Sequence, residues 1–445
     1  MDEFISQGKL PNFARLRNES LAFVTDAEER APALEPWIQW VTVHTGMRHA
    51  DHKITNLGDN ANLSYPSIWD IASRHGLRSW VCGSMNASYG PEFQGWVLPD
   101  PWSVRIRPNV KDLEPYFEFV QASVQEHTRD KSPLSLGAHL KFLRFIVTHG
   151  VKLTTAASIA MQLLRERFSR SRWRRATVLD RLQCDLFKHI FTAQRPDFAT
   201  FFSNSTAHYQ HMYWRNMEPA VFDVKPTPED QQLHADAVLF GYQQMDKLIG
   251  EFRRLAGNEA VLIFGTALSQ QPCLKYDASG GRTFYRLADA AKFLAFLGIE
   301  RDSCSVEPVM SQQFHLRFRE AASASNALRL LQSLKVGERP AIKVVSADSL
   351  NILAGCAFHQ ELPPGAVLEG DSGSALLSEH FYHVDLKKSG MHHHHGMLWI
   401  RVPGSPGRQV SEIVPLVDVA PSVLSLLGIP VPAQMPGRSL MRYAA

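Results

Sequence analysis

The residues of this 445-residue chain best able to do chemistry gather in three places. The first is Phe201 to Trp214, FFSNSTAHYQHMYW, where Asn204, His208 and His211 follow an apolar run at intervals of four and three. That spacing suits a strand running into a loop or helix start, where ring nitrogens can converge on a metal ion or a phosphate group. It equally suits capping and core-edge histidines, and the stretch alone leaves both readings open. The second place is the run His392 to His395 in GMHHHHGMLWIRVPG, which continues into an apolar strand pattern and therefore reads as native rather than as a tag. The third is RERFSRSRWRR, whose arginines Arg165, Arg167, Arg170, Arg172, Arg174 and Arg175 form either a solvated helix face or a surface for an anionic lipid, a polyanion or a partner.

Composition sets the outer limits. With 44% hydrophobic and 20% charged residues the chain is globular and long enough for a large core. A net charge of +3 gives no general electrostatics for a nucleic acid duplex. The five cysteines, Cys82, Cys184, Cys273, Cys304 and Cys356, lie far apart with no CxxC pair, so they read as buried small residues in a reducing compartment. MDEFISQGKLPNF lacks the basic and apolar regions of a secretory signal, and Leu153 to Leu164 falls short of the roughly 20 apolar residues that cross a bilayer. A soluble, cytoplasmic protein without a transmembrane segment is expected, with a peripheral membrane contact left open by Met161, Leu163 and Leu164 beside the arginines.

The elements that must position these residues follow from periodicity. Asp2 to Leu16 reads as a helix entering a loop, with no strand before it, and Ala33 to Met47 as a loop leading into a helix packed through its tryptophans. Ile68 to Arg74 predicts a helix, Leu77 to Met85 a buried strand and Phe93 to Trp102 a loop. The region from Asp112 to His189 is helical throughout. Phe198 to Phe202 predicts a strand, Pro226 to Leu255 one long amphipathic helix opened by Thr227-Pro228-Glu229-Asp230, and Glu259 to Phe264 a strand. Tyr285 to Gly298 predicts a helix, the section to Tyr382 is β-rich, Met397 to Val402 is a strand, and Val417 to Leu427 a last helix stopped by Gly428 and Pro430. The expected organisation is an α/β core in three parts, 1–104, 195–316 and 383–445, interrupted by a helical insertion at 105–194 and a β-rich insertion at 317–382.

Several stretches together resemble one superfamily: GKLPNFARL, PWIQWVTVHTG, YPSIWDIASRHGLRSWVCGSM, RPDFATFFSNSTAHYQHMYW, DKLIGEFRRLAGNEAVLIFGT, GMHHHHGMLWI and DVAPSVLSLLGIPVPAQMPGRSL. In order and spacing they are similar to the type I phosphodiesterase and nucleotide pyrophosphatase branch of the alkaline phosphatase superfamily. The resemblance implies a doubly wound three-layer α/β/α sandwich and two divalent cations, usually zinc, at the carboxyl ends of the strands. Such a pair clamps a phosphate while a Thr or Ser attacks and a metal-bound water completes hydrolysis.

Carried over position by position, the resemblance is incomplete. The family's first aspartate ligand lies on a strand before the GKLPNF helix, and no such strand is seen. Trp40 and Thr45-Gly46 register the nucleophile position on Pro36, with Glu35 beside it. The family's aspartate and histidine four apart fall on Asn204 and His208, and its Asp-His pair on Ala267 and Leu268. The last histidine is intact in the pattern Gly390, His392, Gly396. The expected site is therefore Glu35 as base or ligand, with Asn204, His208 and His392 around one divalent ion, zinc first, or none. His211, His393 and Thr266 are additional pocket residues, and His44, His49, His394 and His395 are possible replacements. Two readings remain: a divergent hydrolase of phosphate, sulfate or phosphonate esters without the standard two-metal mechanism, or a non-catalytic module binding an anionic ligand or partner. A glycan, lipid head group or nucleotide would suit the insertions.

Overall fold

The computed structural model describes residues 1–103, 105–124, 135–307, 309 and 312–444. The chain forms two compact units: Met1–Glu114, Phe142–Pro272 and Ser389–Ala445 make the first, Pro115–Lys141 and Cys273–Lys388 the second.

The first unit runs through α1 (Asp2–Ser6), α2 (Pro11–Asn18), β1 (Leu21–Asp26), α3 (Pro36–Thr45), α4 (His49–His52), α5 (Ile68–Arg74), β2 (Ser79–Cys82) and β3 (Gly95–Leu98). After α6 (Leu136–Thr148), whose first residues are counted with the second unit, come α7 (Leu153–Arg165), α8 (Ala176–Gln194), β4 (Phe198–Phe201), α9 (Ser205–Met217), α10 (Pro228–His234) and α11 (Ala237–Ala256). It closes with β5 (Leu262–Thr266), β6 (Ser269–Pro272), β7 (Gly390–His393), β8 (His395–Arg401), β9 (Arg408–Pro415) and α12 (Val419–Leu426).

One sheet has the order β9-β1-β8-β5, with β1 parallel to β9 and antiparallel to β8, and β8 antiparallel to β5. A second, β3-β2-β4, is wholly parallel. Strand alternation divides the side chains between two helix layers. Leu21, Phe23, Leu398 and Ile400 point to one core with α5 and α12, while Ala22 and Trp399 point to another with Phe13 and Leu16 of α2 and Ile249 of α11. In the second sheet Val81 joins Trp69 of α5, and Trp80 stacks on Phe187 of α8. The result is a mixed α/β body with its sheets between helices, the class the sequence predicts.

Among the described residues, strands β4 and β5 each end a sheet and pair on one side only. Both lie between the same helices: Phe198 and Ile263 pack against the α5/α12 core, and Phe201 touches Phe252 of α11, the helix that also covers β5. Every residue of β4 is only half-buried, whereas all of β2 is buried. Unpaired edges exchange their amides readily. In hydrogen–deuterium exchange β4 and β5 are expected to exchange well before β2 and β8; equal protection of all four would show both edges covered.

Four local expectations change. The β1 strand at Leu21–Asp26 is a strand the sequence reading did not assign, lying after α2 rather than before it. Gly95–Leu98, expected as loop, adds to β2 as β3. The single helix expected over Pro226 to Leu255 breaks at Ala235 and Asp236, because α10 is tied to α9: Asn216 donates to Asp230 (2.6 Å) and His234 stacks on Tyr213. The helix expected from Tyr285 begins only at Ala290, where Asp289 caps it by accepting from the Lys292 amide (2.9 Å). Arg282–Leu287 before it is a strand paired with Phe381–Lys388.

The second unit joins Pro115–Lys141 to the β-rich stretch Cys273–Lys388. A four-stranded antiparallel sheet, Ile342–Ala347, Asn351–Cys356, Gln313–Phe318 and Cys304–Glu307, packs on the helix Ala321–Ser333 through Phe314, Leu316, Ile352, Ala327 and Leu331. Asp371 and Ser372 turn the hairpin Val367–Gly370/Gly373–Leu376.

Candidate functional site

Three elements of the first unit converge around His392. β7 carries it and pairs with β6, so that His392 opposes Gln270 and Gln271 donates to the His392 carbonyl (3.2 Å). α3 brings Glu35, its N-cap in extended conformation, directly before Pro36 at the first helical position. α9, which follows β4, brings His211.

His392 Nδ1 lies 3.1 Å from the Leu34 carbonyl and 3.4 Å from Glu35 Oε2. Both neighbours are acceptors, an arrangement that suits a ring proton on Nδ1. The His211 ring stands edge-on to His392 at 5.0 Å, and its Nδ1 donates to the Gly390 carbonyl (3.0 Å). The side chains of His392 and Glu35 are 15% and 35% exposed, so the pair is held by backbone yet reaches solvent. This carboxylate–imidazole arrangement can take a proton from water or return one to a leaving group.

Of the other expected residues, Asn204 is the exposed N-cap of α9 and His208 lies one turn on, its ring against Tyr209; burial pushes the His208 pKa below its usual value. Thr266 uses its hydroxyl to accept from the Met397 amide (3.1 Å), a sheet role. His393 Nδ1 accepts from the His395 amide (3.1 Å). His44 is buried between Trp40 and Trp69, and His49 pairs with Glu29 at 3.7 Å. All six arginines are exposed; Arg170 pairs with Glu229, Arg175 with Glu166, and Arg174 covers Trp173 and Phe240.

The residues that the resemblance sets at the Asp-His pair and at the nucleophile supply neither a metal ligand nor a nucleophile. Ala267 is 2% exposed inside the α5/α12 core and Leu268 is equally unable to ligate; Pro36 offers no nucleophile. One group among the described residues does bring metal-ligating atoms together: nitrogens of His393, His394 and His395 all lie within 4.8 Å of one another. Asp26, the cross-strand partner of His395, sets its Oδ2 3.7 Å from His395 Nε2, and Ala27 donates to the His394 carbonyl (2.9 Å). Sequence reasoning missed Asp26 because β1 was not assigned; the apolar LAFV run ending in Thr25-Asp26 was the available signal.

Both glycines of the Gly390–His392–Gly396 pattern are required by close approach. A Cβ on Gly390 would lie 2.2 Å from the Gln210 carbonyl oxygen, and one on Gly396 2.4 Å from that of Thr266. Backbone cannot yield as a side-chain tip can, so Gly390→Ala and Gly396→Ala are each expected to cost about 3 kcal/mol. Urea unfolding checks this, and a loss below about 1 kcal/mol would contradict the packing described.

No protein-family model matches the chain, and no curated protein matches it. Solved structures do. The murine ectonucleotide pyrophosphatase/phosphodiesterase 5 aligns over 98% of this chain and 93% of its own at 11% identity, with a TM-score of 0.39. The wild-type alkaline phosphatase PafA aligns over 96% and 93% at 12% identity, TM-score 0.45. The phosphonoacetate hydrolase from Sinorhizobium meliloti, in complex with phosphonoacetate, aligns over 94% and 90% at 12% identity, TM-score 0.43.

Proposed function

We propose that the chain is a divergent member of the alkaline phosphatase superfamily that hydrolyses phosphate- or sulfate-type esters slowly, with Glu35 and His392 as an acid–base pair in place of two metal ions. The observation that carries this is the pairing of His392 with Glu35: the ring Nδ1 lies 3.1 Å from the Leu34 carbonyl and 3.4 Å from the Glu35 carboxylate, and both side chains keep some exposure to solvent. Glu35 orients the ring and balances the charge it gains on taking a proton from the attacking water. His211 holds β7 in place through Gly390. The blocks from GKLPNFARL to MPGRSL, in superfamily order, support the class.

A second reading, binding without turnover, is favoured by Pro36 at the nucleophile position and the apolar Ala267 and Leu268. A panel of aryl phosphate monoesters, phosphodiesters, sulfates and phosphonates separates the two. Release of the aryl alcohol from one ester class above the buffer rate is expected. Saturable binding of an ester with no release would establish the second reading, and neither binding nor release would overturn both.

A further inference from the structure

Residues 136–175 stand apart in charge and in apolar exposure, and neither property is used by the ester site. The segment holds nine Lys and Arg against the single acid Glu166, a net +8, while the remaining residues carry 38 basic and 43 acidic side chains, a net −5. Between Leu136 and Arg165 there is no acidic residue at all. Apolar exposure concentrates in the same place. Of nineteen large hydrophobic side chains exposed among the described residues, nine lie between Leu136 and Phe168. The four barest of all are here: Leu153 88%, Phe168 83%, Val147 81% and Leu136 79% exposed.

This exposure follows helical faces. On α6, Leu136, Leu140, Leu143 and Val147 succeed one another at intervals of four, three and four, and face solvent while Phe142 and Phe145 are buried. On α7 no residue is buried, and Leu153, Ala157, Ala160, Met161 and Leu164 make an exposed apolar stripe that ends at Arg165. A soluble surface does not keep such a stripe bare without a use for it. No helix among the described residues is long and apolar enough to cross a membrane. A 13-residue helix with one exposed apolar stripe, arginines at its end and no acid along it is instead the signature of a helix lying in the plane of an anionic lipid surface.

We propose that α7, with the last turn of α6 and the following arginines, docks the protein on the surface of an anionic phospholipid bilayer. Met161, Leu164 and Phe168 enter the acyl boundary, and Arg165, Arg167 and Arg172 meet the lipid phosphates. Arg170 and Arg175 are already engaged with Glu229 and Glu166, so the charge available to lipid comes mainly from the other arginines. The proposal does not rest on the ester-hydrolysis reading and stands or fails separately from it.

Vesicle sedimentation with the full chain tests it, comparing phosphatidylserine-rich with pure phosphatidylcholine vesicles. Binding to the anionic vesicles that weakens in salt is expected. Each arginine among Arg165, Arg167 and Arg172 changed to Gln should lower the partition coefficient about fivefold, and the triple variant about a hundredfold. Met161→Glu and Leu164→Glu should each lower it at least about tenfold. All these positions are exposed, and unchanged melting temperatures confirm intact folding. As an independent readout, the indole fluorescence added by Leu164→Trp should be quenched by brominated anionic lipid. Absent or equal binding to both vesicle types, no quenching of the added indole, or a dimer that Leu164→Glu splits into monomers would overturn the proposal, the last by showing that a second copy covers the stripe.

Discussion

His392→Ala is expected to lower kcat for the ester turned over by about a thousandfold, within the range general base catalysis supplies. The expectation rests on the orientation of the His392 ring, set by the Leu34 carbonyl and the Glu35 carboxylate at Nδ1. Glu35→Gln keeps the shape but removes the charge that stabilises the protonated ring, so its loss should be smaller, about ten- to a hundredfold, with KM nearly unchanged. Because Glu35 acts through His392, the double variant should be no worse than His392→Ala alone. Multiplying losses in the double variant would mean that the two side chains act separately. A Glu35→Gln enzyme of full activity would mean that the Leu34 carbonyl suffices to position the ring.

The second large effect is on stability in acid. His44 is 4% exposed, with its ring against Trp40 and Trp69, and burial drives its pKa down to about 3. His52, its neighbour in the next helix, is pushed down to about 4 by burial and by His49; it bridges Thr42 Oγ1 (3.3 Å) and the Ile54 amide (3.1 Å), and the second bond requires a neutral ring. Both groups have folded pKa values below the unfolded value near 6.5. The stability they contribute is therefore complete above about pH 6.5 and is lost as pH falls toward 3 to 4. For His44 the full loss is about 5 kcal/mol, a large part of the 5–15 kcal/mol typical of a native protein. Asp100, which burial pushes up to about 6, has the opposite sign: its contribution is present below about pH 4 and lost as pH rises through 6. The wild-type slope is a net of these, so the difference from His44→Phe isolates the histidine. Between pH 6 and 4 the unfolding free energy of His44→Phe should fall by about 1.4 kcal/mol less per pH unit than that of the wild type. Parallel pH profiles would contradict a neutral buried His44.

The buried positions were the most legible ones. Ile68–Arg74 and the core of Val417–Leu427 follow directly from apolar spacing and caps, and the Leu77–Met85 strand narrows only to Ser79–Cys82. β1 offered only the short apolar run LAFV as a signal, and its register comes from β8 and β9, far along the chain. Tyr285–Leu287, the end of the strand Arg282–Leu287, read as the start of a helix because so short an apolar run fits either period until a partner strand is known. At the site, the sequence brought out His392 and Glu35. It could not show that His211 would be the ring against His392 and that His208 would lie against Tyr209, since residues three apart on a helix diverge according to what each packs on.

The central claim is that Glu35 and His392 do the work that two cations do in the superfamily this chain resembles. One measurement tests it directly: the steady-state rate of aryl ester release by the wild-type protein after exhaustive chelation, beside the same protein supplied with excess zinc. The rates should agree within about twofold, and both should vanish in His392→Ala. A rate that appears only with zinc, as a bound cation supplying several kcal/mol of transition-state stabilisation would give, would contradict the account.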